Sequence, residues 1–187
     1  MKERFSSINS PVTYINEKRY HFIERAISEA DIVLLLPAEF IELPPVIAKR
    51  KYPAEDRPQV ILSSHDITVN FAFKVLQTAI SEEDLPVARD AAFDALKKLH
   101  PQNTYLETGE TGFGEKRERK CFWFEYMGPT LDSSVYSLNA FMMNDNNPLY
   151  FLFNCPQEGY ENWRPIVFEV IGTIKSKPLF WRGEERV

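Results

Sequence analysis

The residues that could perform acid–base or metal chemistry in this chain are few and widely spaced. The three histidines are His21, His65 and His100, and none is paired at the spacing of a metal or catalytic site. His65 precedes Asp66 in a predicted turn, where the two could act as a base and the carboxylate that orients it. Because aspartate and serine are common in hairpin turns without any function, plain turn chemistry is favoured for residues 63–66.

The two cysteines are the next candidates for chemistry. Cys121 and Cys155 lie within apolar runs, where a thiol usually behaves as a small buried hydrophobe. The strand meander predicted below places them on two strands with a third between them, too far apart for a disulfide. We therefore expect free thiols and a reducing compartment. No CxxC pattern is present, and we expect no metal and no cofactor.

Two loop-like runs could bind phosphate or nucleic acid. Gly109–Gly114 lacks both the GxGxxG pattern and the lysine of a P-loop, so it is interpreted as a hairpin loop. The charged run that follows, residues 115–120, mixes both signs, with glutamates interrupting the basic residues, and is typical of a solvated segment leading into a strand. The net charge of −5 also argues against nucleic-acid binding, which usually requires a basic face.

The bulk properties predict one domain, residues 1–187, of an ordinary globular protein. The N-terminus lacks the apolar segment of a signal peptide, and the most apolar run, Ile32–Leu36, is far too short to insert into a membrane. We therefore expect a cytoplasmic protein. Its core is predicted at about residues 30–177, with an N-terminal extension of residues 1–29 and a C-terminal tail of residues 178–187.

The stretch Lys120–Ile174 contains the clearest pattern in the second half. Three aromatic-rich runs are separated by tight breaks at residues 128–132 and 144–148, which predicts an antiparallel meander. Both faces of its strands are apolar, so we expect cover on both sides. A helix follows, with an apolar stripe from Trp163 to Ile174, Asn162 as its cap and Pro165 in its first turn.

The first half predicts more strands and one helix. Residues 12–27 fit either a hairpin, which the aromatic and β-branched residues favour, or a helix over 17–28. Asp31–Leu36 predicts a buried strand, whereas Pro44, Pro45 and Pro53 predict no regular structure around them. A hairpin is expected from Val60–Leu62 and the alternating run Ile67–Val75. A helix over 85–100 with Asp84 as its cap, and a strand over 104–111, complete the series.

Together these elements predict an α+β fold with an antiparallel sheet of about six to seven strands packed between helices. The order of hairpin, helix, meander and helix resembles bacterial PsbP-like and DcrB-like domains. The resemblance rests on RPQVILSSHDITVNFAF, on FNCP followed by Trp163–Ile174, and on LLLPAEF, and it covers roughly residues 30–177. It implies an α/β/α sandwich that acts by protein contact, as in an extrinsic photosystem subunit, a Ran-binding import factor and secretion chaperones, with no shared catalytic residues.

We therefore expect a non-catalytic protein-binding module, such as an adaptor, chaperone or immunity-like partner. The alternative is a small-molecule-binding domain or enzyme that uses a cavity against the aromatic sheet. Self-association as a homodimer, through an edge strand and the tail, is a third option. The residues expected to contact a partner lie in the loops and the tail: His65, Asp66, Phe113, Arg117, Phe180 and Trp181.

Overall fold

The computed structural model of the protein describes residues 7–131, 133–145 and 147–178. They form an α+β fold in which a central antiparallel sheet separates two groups of helices and smaller sheets. Phe180 and Trp181 lie outside the described residues. The helices are α1 (Pro45–Lys51), α2 (Leu85–Leu99) and α3 (Tyr160–Gly172). The strands are β1 (Thr13–Ile15), β2 (Lys18–Tyr20), β3 (Phe22–Ile27), β4 (Ile32–Pro37), β5 (Ile41–Glu42), β6 (Val60–Ser63), β7 (Asn70–Val75), β8 (Thr104–Phe113), β9 (Arg119–Pro129), β10 (Ser134–Asn144), β11 (Asn147–Pro156) and β12 (Lys175–Ser176).

The central sheet has seven strands in the order β5-β6-β7-β11-β10-β9-β8, and every neighbouring pair is antiparallel. The meander β9–β10–β11 is confirmed, as is the hairpin β6–β7. β11 returns to pair with β7, which joins the two halves of the chain into one sheet. Cys121 and Cys155 lie on β9 and β11, on either side of β10, and both are free and buried.

Both faces of the central sheet are covered, as the two-sided apolar pattern predicted. On one face, α1 and α2 cover two apolar clusters, one around Ala72 and one around Phe124. On the other face, α3 and β4 pack on the largest cluster, which contains Phe71 and Phe153. β4 belongs to a second sheet of three strands, in the order β12-β4-β3. This arrangement is the expected α/β/α sandwich.

The described part of the predicted N-terminal extension is packed within the domain. Residues 13–20 form the two-stranded hairpin β1–β2, so the strand interpretation of residues 12–27 is confirmed over the helical one. Ile8, Ile15 and Tyr20 are buried and belong to the same core cluster as the central sheet. The hairpin is thus available to shape a surface next to that core.

One detail of the sequence-based prediction is wrong, for a local reason. Regular structure does occur near Pro44 and Pro45, because Pro44 precedes α1 and Pro45 occupies its first position, where no backbone N–H is needed. Asp84 is the N-cap residue of α2, as predicted, but its side chain makes no cap hydrogen bond to that helix. Its carboxylate instead forms a capping box with Ser81 around a 3₁₀ turn that leads into the helix.

The start of α3 also differs from the prediction. A 3₁₀ turn over Gln157–Gly159 runs directly into the helix at Tyr160, so Asn162 lies inside the helix and does not cap it. Pro165 therefore occupies the interior of α3, where it lacks the N–H that would bond to the preceding turn. Within the described residues, no helix is long and apolar enough to cross a membrane.

Candidate functional site

The loop between β6 and β7 is organised by the carboxylate of Asp66. Its Oδ1 accepts hydrogen bonds from the Ser64 hydroxyl at 2.6 Å and the Thr68 hydroxyl at 2.8 Å. Its Oδ2 accepts one from Lys18 Nζ at 2.8 Å, which ties the loop to β2. The hydrogen bond from Lys18, followed by that from Ser64, holds the pKa of Asp66 well below its usual value. Asp66 is therefore ionised and serves as the structural centre of the loop.

Ile67, at the tip of this loop, has an unusual backbone conformation. It was predicted to begin a strand, but β7 begins only at Asn70, and Ile67 has a φ of 55°. A β-branched residue is strained in this left-handed region by about 1–2 kcal/mol. Contacts on both sides enforce it: the Ile67 carbonyl accepts a hydrogen bond from Lys51, and its N–H donates to the Ser64 carbonyl. The Ile67 side chain is 43% exposed.

A cleft of about 480 Å³ lies between this loop and the hairpin β1–β2. Its lining mixes apolar and charged groups of both signs: Lys18, Arg19, Tyr20, Glu39, Phe40, Ser64, His65 and Asp66. His65 is exposed, and among the described residues it has no hydrogen bond to Asp66, so the turn interpretation is favoured over a base and its orienter. Glu39 instead bonds the imidazole Nδ1 of His21 at 2.7 Å.

The floor of the cleft is rigid because aromatic rings pack beneath it. The Tyr20 ring contacts those of Trp163 and Phe40 at centroid distances of 5.3 and 6.0 Å, both edge to face. Tyr20 and Lys18 also line a second cleft of about 450 Å³, bounded by the start of α3. We call the surface formed by Lys18–Tyr20 and Ser64–Thr68 the loop–hairpin surface.

Gly159 allows the hairpin to dock on α3. A Cβ built at Gly159 would lie 2.7 Å from the Asn16 side-chain nitrogen, which is too close for any other residue without a shift. Asn16 in turn accepts a hydrogen bond of 2.6 Å from the Asn162 amide. The loop–hairpin surface is therefore fixed to the core from two sides, by Asp66 and by α3.

The other predicted contact residues lie elsewhere. Phe113 was expected in a loop, but it ends β8 and is fully buried, so it cannot contact a partner. Arg117 lies in the β8–β9 turn with a φ of 53°, and its guanidinium packs against Gly172 at the C-terminus of α3. The loop–hairpin surface adjoins the opposite end of α3, about 20 Å away for a 13-residue helix. Of the predicted contact residues that the structure describes, only His65 and Asp66 lie together.

Sequence reasoning missed a buried ion pair under α3. Glu125 is 1% exposed and accepts hydrogen bonds from Arg164, the shortest at 2.8 Å, and from the Tyr136 hydroxyl at 2.5 Å. Burial and the bond to Glu125 raise the pKa of Tyr136, and the same bond raises that of Arg164. The signal was present, because Glu125 interrupts an otherwise apolar face of β9 beside Trp123.

The thiols and metal-ligand residues offer no second site. Burial raises the pKa of Cys155 to about 12 and that of Cys121 further, so neither thiol is a nucleophile near neutral pH. Among the described residues, no group of three or more histidines, cysteines or carboxylates could hold a metal ion.

Comparison with known proteins identifies the fold. No protein-family model and no curated protein matches the chain. The solution structure of cyanobacterial PsbP (CyanoP) from Synechocystis superposes with a TM-score of 0.61 over 83% of this chain and 92% of that one, at 11% identity. LpqN, described as involved in cell envelope biogenesis of Mycobacterium tuberculosis, gives a TM-score of 0.51 over 90% and 100%, at 9% identity.

A protein from Bacteroides thetaiotaomicron gives a TM-score of 0.53 at 14% identity and covers 84% of this chain. The chain spans about half of that protein, 49%. At these identities the likeness concerns the fold alone. The resemblance to PsbP-like domains is thereby confirmed at the level of structure, while kinship with DcrB-like proteins stays a prediction. The chain has a PsbP-like fold.

Proposed function

We propose that this protein is a non-catalytic protein-binding module of a bacterial cell, an adaptor, chaperone or immunity-like partner, and that the loop–hairpin surface is its contact region. The observation that supports this most is Ile67, an exposed β-branched side chain held in a left-handed conformation. Strain of this kind persists only where surrounding contacts impose it, and it is concentrated at functional sites.

The surface around Ile67 has the composition of a binding interface. An apolar side chain projects beside a cleft with aromatic residues in its floor and lysine, arginine, glutamate and histidine at its rim. Interfaces combine apolar anchors with such a polar rim. Because Asp66, Lys51 and the hairpin already fix the loop, binding would cost little conformational entropy.

The state of the titratable groups supports a non-catalytic role. A carboxylate with a lowered pKa, such as Asp66, is a weak base near neutral pH. It accepts hydrogen bonds from Ser64 and Thr68 within the loop and from Lys18 of the hairpin, so both of its oxygens already have partners in the chain. We also propose a cytoplasmic location, which is consistent with two free thiols.

The test compares three forms of the chain as bait in extract from the source organism, with chemical crosslinking and quantitative mass spectrometry. The variant Ile67→Asp removes the apolar contact, and aspartate accepts the left-handed conformation more readily than isoleucine, so the fold is retained. Val87→Asp is the matched control, because Val87 is 68% exposed on α2 and remote from the loop.

We expect a stoichiometric partner with the wild type and with Val87→Asp, and its loss with Ile67→Asp. Crosslinks to Lys18 would place the partner on the loop–hairpin surface. The proposal fails if the wild type captures no stoichiometric partner, or if a captured partner is indifferent to Ile67→Asp.

A further inference from the structure

A row of uncharged polar side chains crosses the central sheet on the face that α1 and α2 cover. The strand register places one residue from each of six neighbouring strands directly side by side. Every one of them is a hydroxyl or an amide, which both donates and accepts hydrogen bonds. From β6 to β8 they are Ser63, Asn70, Asn154, Ser137, Tyr126 and Tyr105.

Three tyrosines converge on the middle of this row. The Tyr52 hydroxyl, at the end of α1, donates to Asn154 Oδ1 at 2.7 Å, and the Tyr150 hydroxyl donates to Asn139 Oδ1 at 2.5 Å. Tyr126 lies close enough to both phenols to interact with them electrostatically. All three tyrosines are intermediate in burial, between the core and the surface.

Asn139 lies at the base of these tyrosines with half of its amide unused. The residue is 5% exposed, and its Nδ2 has no hydrogen-bond partner among the described residues. Its neighbours across the strands on the same face are Phe124 and Leu152, which offer it none. If the amide oxygen and nitrogen of Asn139 were exchanged, the oxygen would be the atom without a hydrogen-bond partner. A buried polar atom left unpaired in this way calls for a partner that the chain does not supply.

We propose that Tyr52, Tyr126, Tyr150 and Asn139 form a binding site for a neutral saccharide, which we call the tyrosine site. These side chains and the adjoining Asn154 and Ser137 carry no charge. The charged neighbour on this face, Lys74 opposite Tyr150, is already paired with Asp56, so an ionic ligand would have to compete with that ion pair. Saccharide hydroxyls donate and accept, as these groups do, and phenol rings can pack on the apolar face of a sugar ring. Peptides are usually bound along a strand edge, whereas this row crosses the middle of a sheet.

The tyrosine site is independent of the proposed protein-binding function. It lies on the α1 and α2 face of the central sheet, whereas Tyr20 and Trp163 pack in the cluster on the α3 face. If the saccharide proposal fails its test, the protein-binding proposal therefore still stands, and the reverse is also true.

The test is titration calorimetry of the full chain with glucose, maltose, cellobiose and trehalose, and with glucuronic acid and glucosamine as charged counterparts. We expect at least one neutral saccharide to bind more tightly than the charged sugars. Tyr126→Phe removes one hydroxyl and should weaken that binding about tenfold, the loss of a single well-placed hydrogen bond. Tyr14→Phe is the control, because Tyr14 is 60% exposed on β1 and remote from the site.

A second readout is the Asn139 side-chain amide, observed by NMR and identified by its disappearance in Asn139→Ala. Its resonances should shift when the saccharide is added to the wild type. The proposal is overturned if no neutral saccharide binds, if charged sugars bind as tightly, or if Tyr126→Phe binds like the wild type. Binding of an uncharged peptide, such as Gly-Asn-Ser-Gly with an acetylated N-terminus and an amidated C-terminus, in place of any saccharide would likewise overturn it.

Discussion

The buried pair of Glu125 and Arg164 gives the sharpest stability prediction. Removing only the cation leaves a carboxylate, 1% exposed, without its main partner. Breaking a buried pair in this way costs about 3–5 kcal/mol of unfolding free energy. Because the Arg164 side chain is 31% exposed, and solvent can partly replace it, we expect the lower end, about 3 kcal/mol, for Arg164→Met. The guanidinium of Arg164 lies over the Phe168 ring, and methionine keeps an unbranched side chain that can pack on the same ring without the charge.

Further substitutions should restore stability and not reduce it. Glu125→Leu added to Arg164→Met removes the orphaned carboxylate, which leaves only the Tyr136 hydroxyl without its acceptor, a loss of about 1–2 kcal/mol relative to wild type. Adding Tyr136→Phe removes that hydroxyl as well, and the triple variant should lie within about 1 kcal/mol of wild type. Apolar groups then fill the same space without unpaired polar atoms.

Urea unfolding followed by tryptophan fluorescence measures the series, since Trp123 and Trp163 are both buried. Lys120→Met is the control: its ion pair with Glu110 is exposed at both ends, so it should change stability by less than about 0.5 kcal/mol. If stability instead falls at each step from the single to the triple variant, the unpaired carboxylate of Glu125 is not the cause of the instability of Arg164→Met, and the reasoning is wrong.

The stability of the single variant Arg164→Met should also depend on pH. A buried carboxylate without its cation is best accommodated with a proton, so folding of Arg164→Met takes up a proton. Stability then rises as the pH falls from 7 to 5, because the folded state binds more protons than the unfolded state. The wild type, in which Arg164 bonds the carboxylate, is the reference for this comparison.

Three further predictions can be tested independently of the buried pair. The pKa of Asp66 is lower in the folded protein than in the unfolded chain. The loop between β6 and β7 should therefore be most protected from amide exchange above pH 4, and it should lose protection as the pH falls towards the folded-state pKa. In Asp66→Asn, the same loss of protection should be seen at neutral pH. Cys121 and Cys155 should resist Ellman's reagent until the protein unfolds, and rapid labelling at pH 8 would contradict their burial and raised pKa values. If the tail supports a homodimer, light scattering should give a smaller mass for a chain ending at Lys177; an equal mass removes that role.

The sequence by itself determined the central meander and most helices. Strand alternation and tight breaks are local signals, and they placed β9, β10 and β11 correctly and separated Cys121 from Cys155. Apolar residues on both sides of these strands indicated a sheet covered on both faces, which the fold confirms. Local patterns failed where capping decided the outcome, as at Pro44 and Pro45, which cap and begin α1, and at the start of α3.

The candidate site was visible in the sequence only in part. The loop around His65 and Asp66 was identified from turn composition, but its partner Lys18 lies 48 residues earlier in the chain. Ile67 was assigned to a strand face because its alternation continues that of β7; the hydrogen bonds of Asp66 and Lys51 override this pattern. Phe113 was assigned to a loop because flanking glycines concealed the end of β8.

The tertiary structure alone decided the pairing of distant polar residues. Glu125 meets Arg164 only when α3 folds back on β9, and the polar row from Ser63 to Tyr105 exists only because β11 pairs with β7. The register between strands far apart in sequence is fixed by packing of the whole sheet, and no local period encodes it. The sequence therefore determined most of the strands and two of the three helices, while the tertiary structure decided which side chains meet, since long-range register is a property of the assembled core.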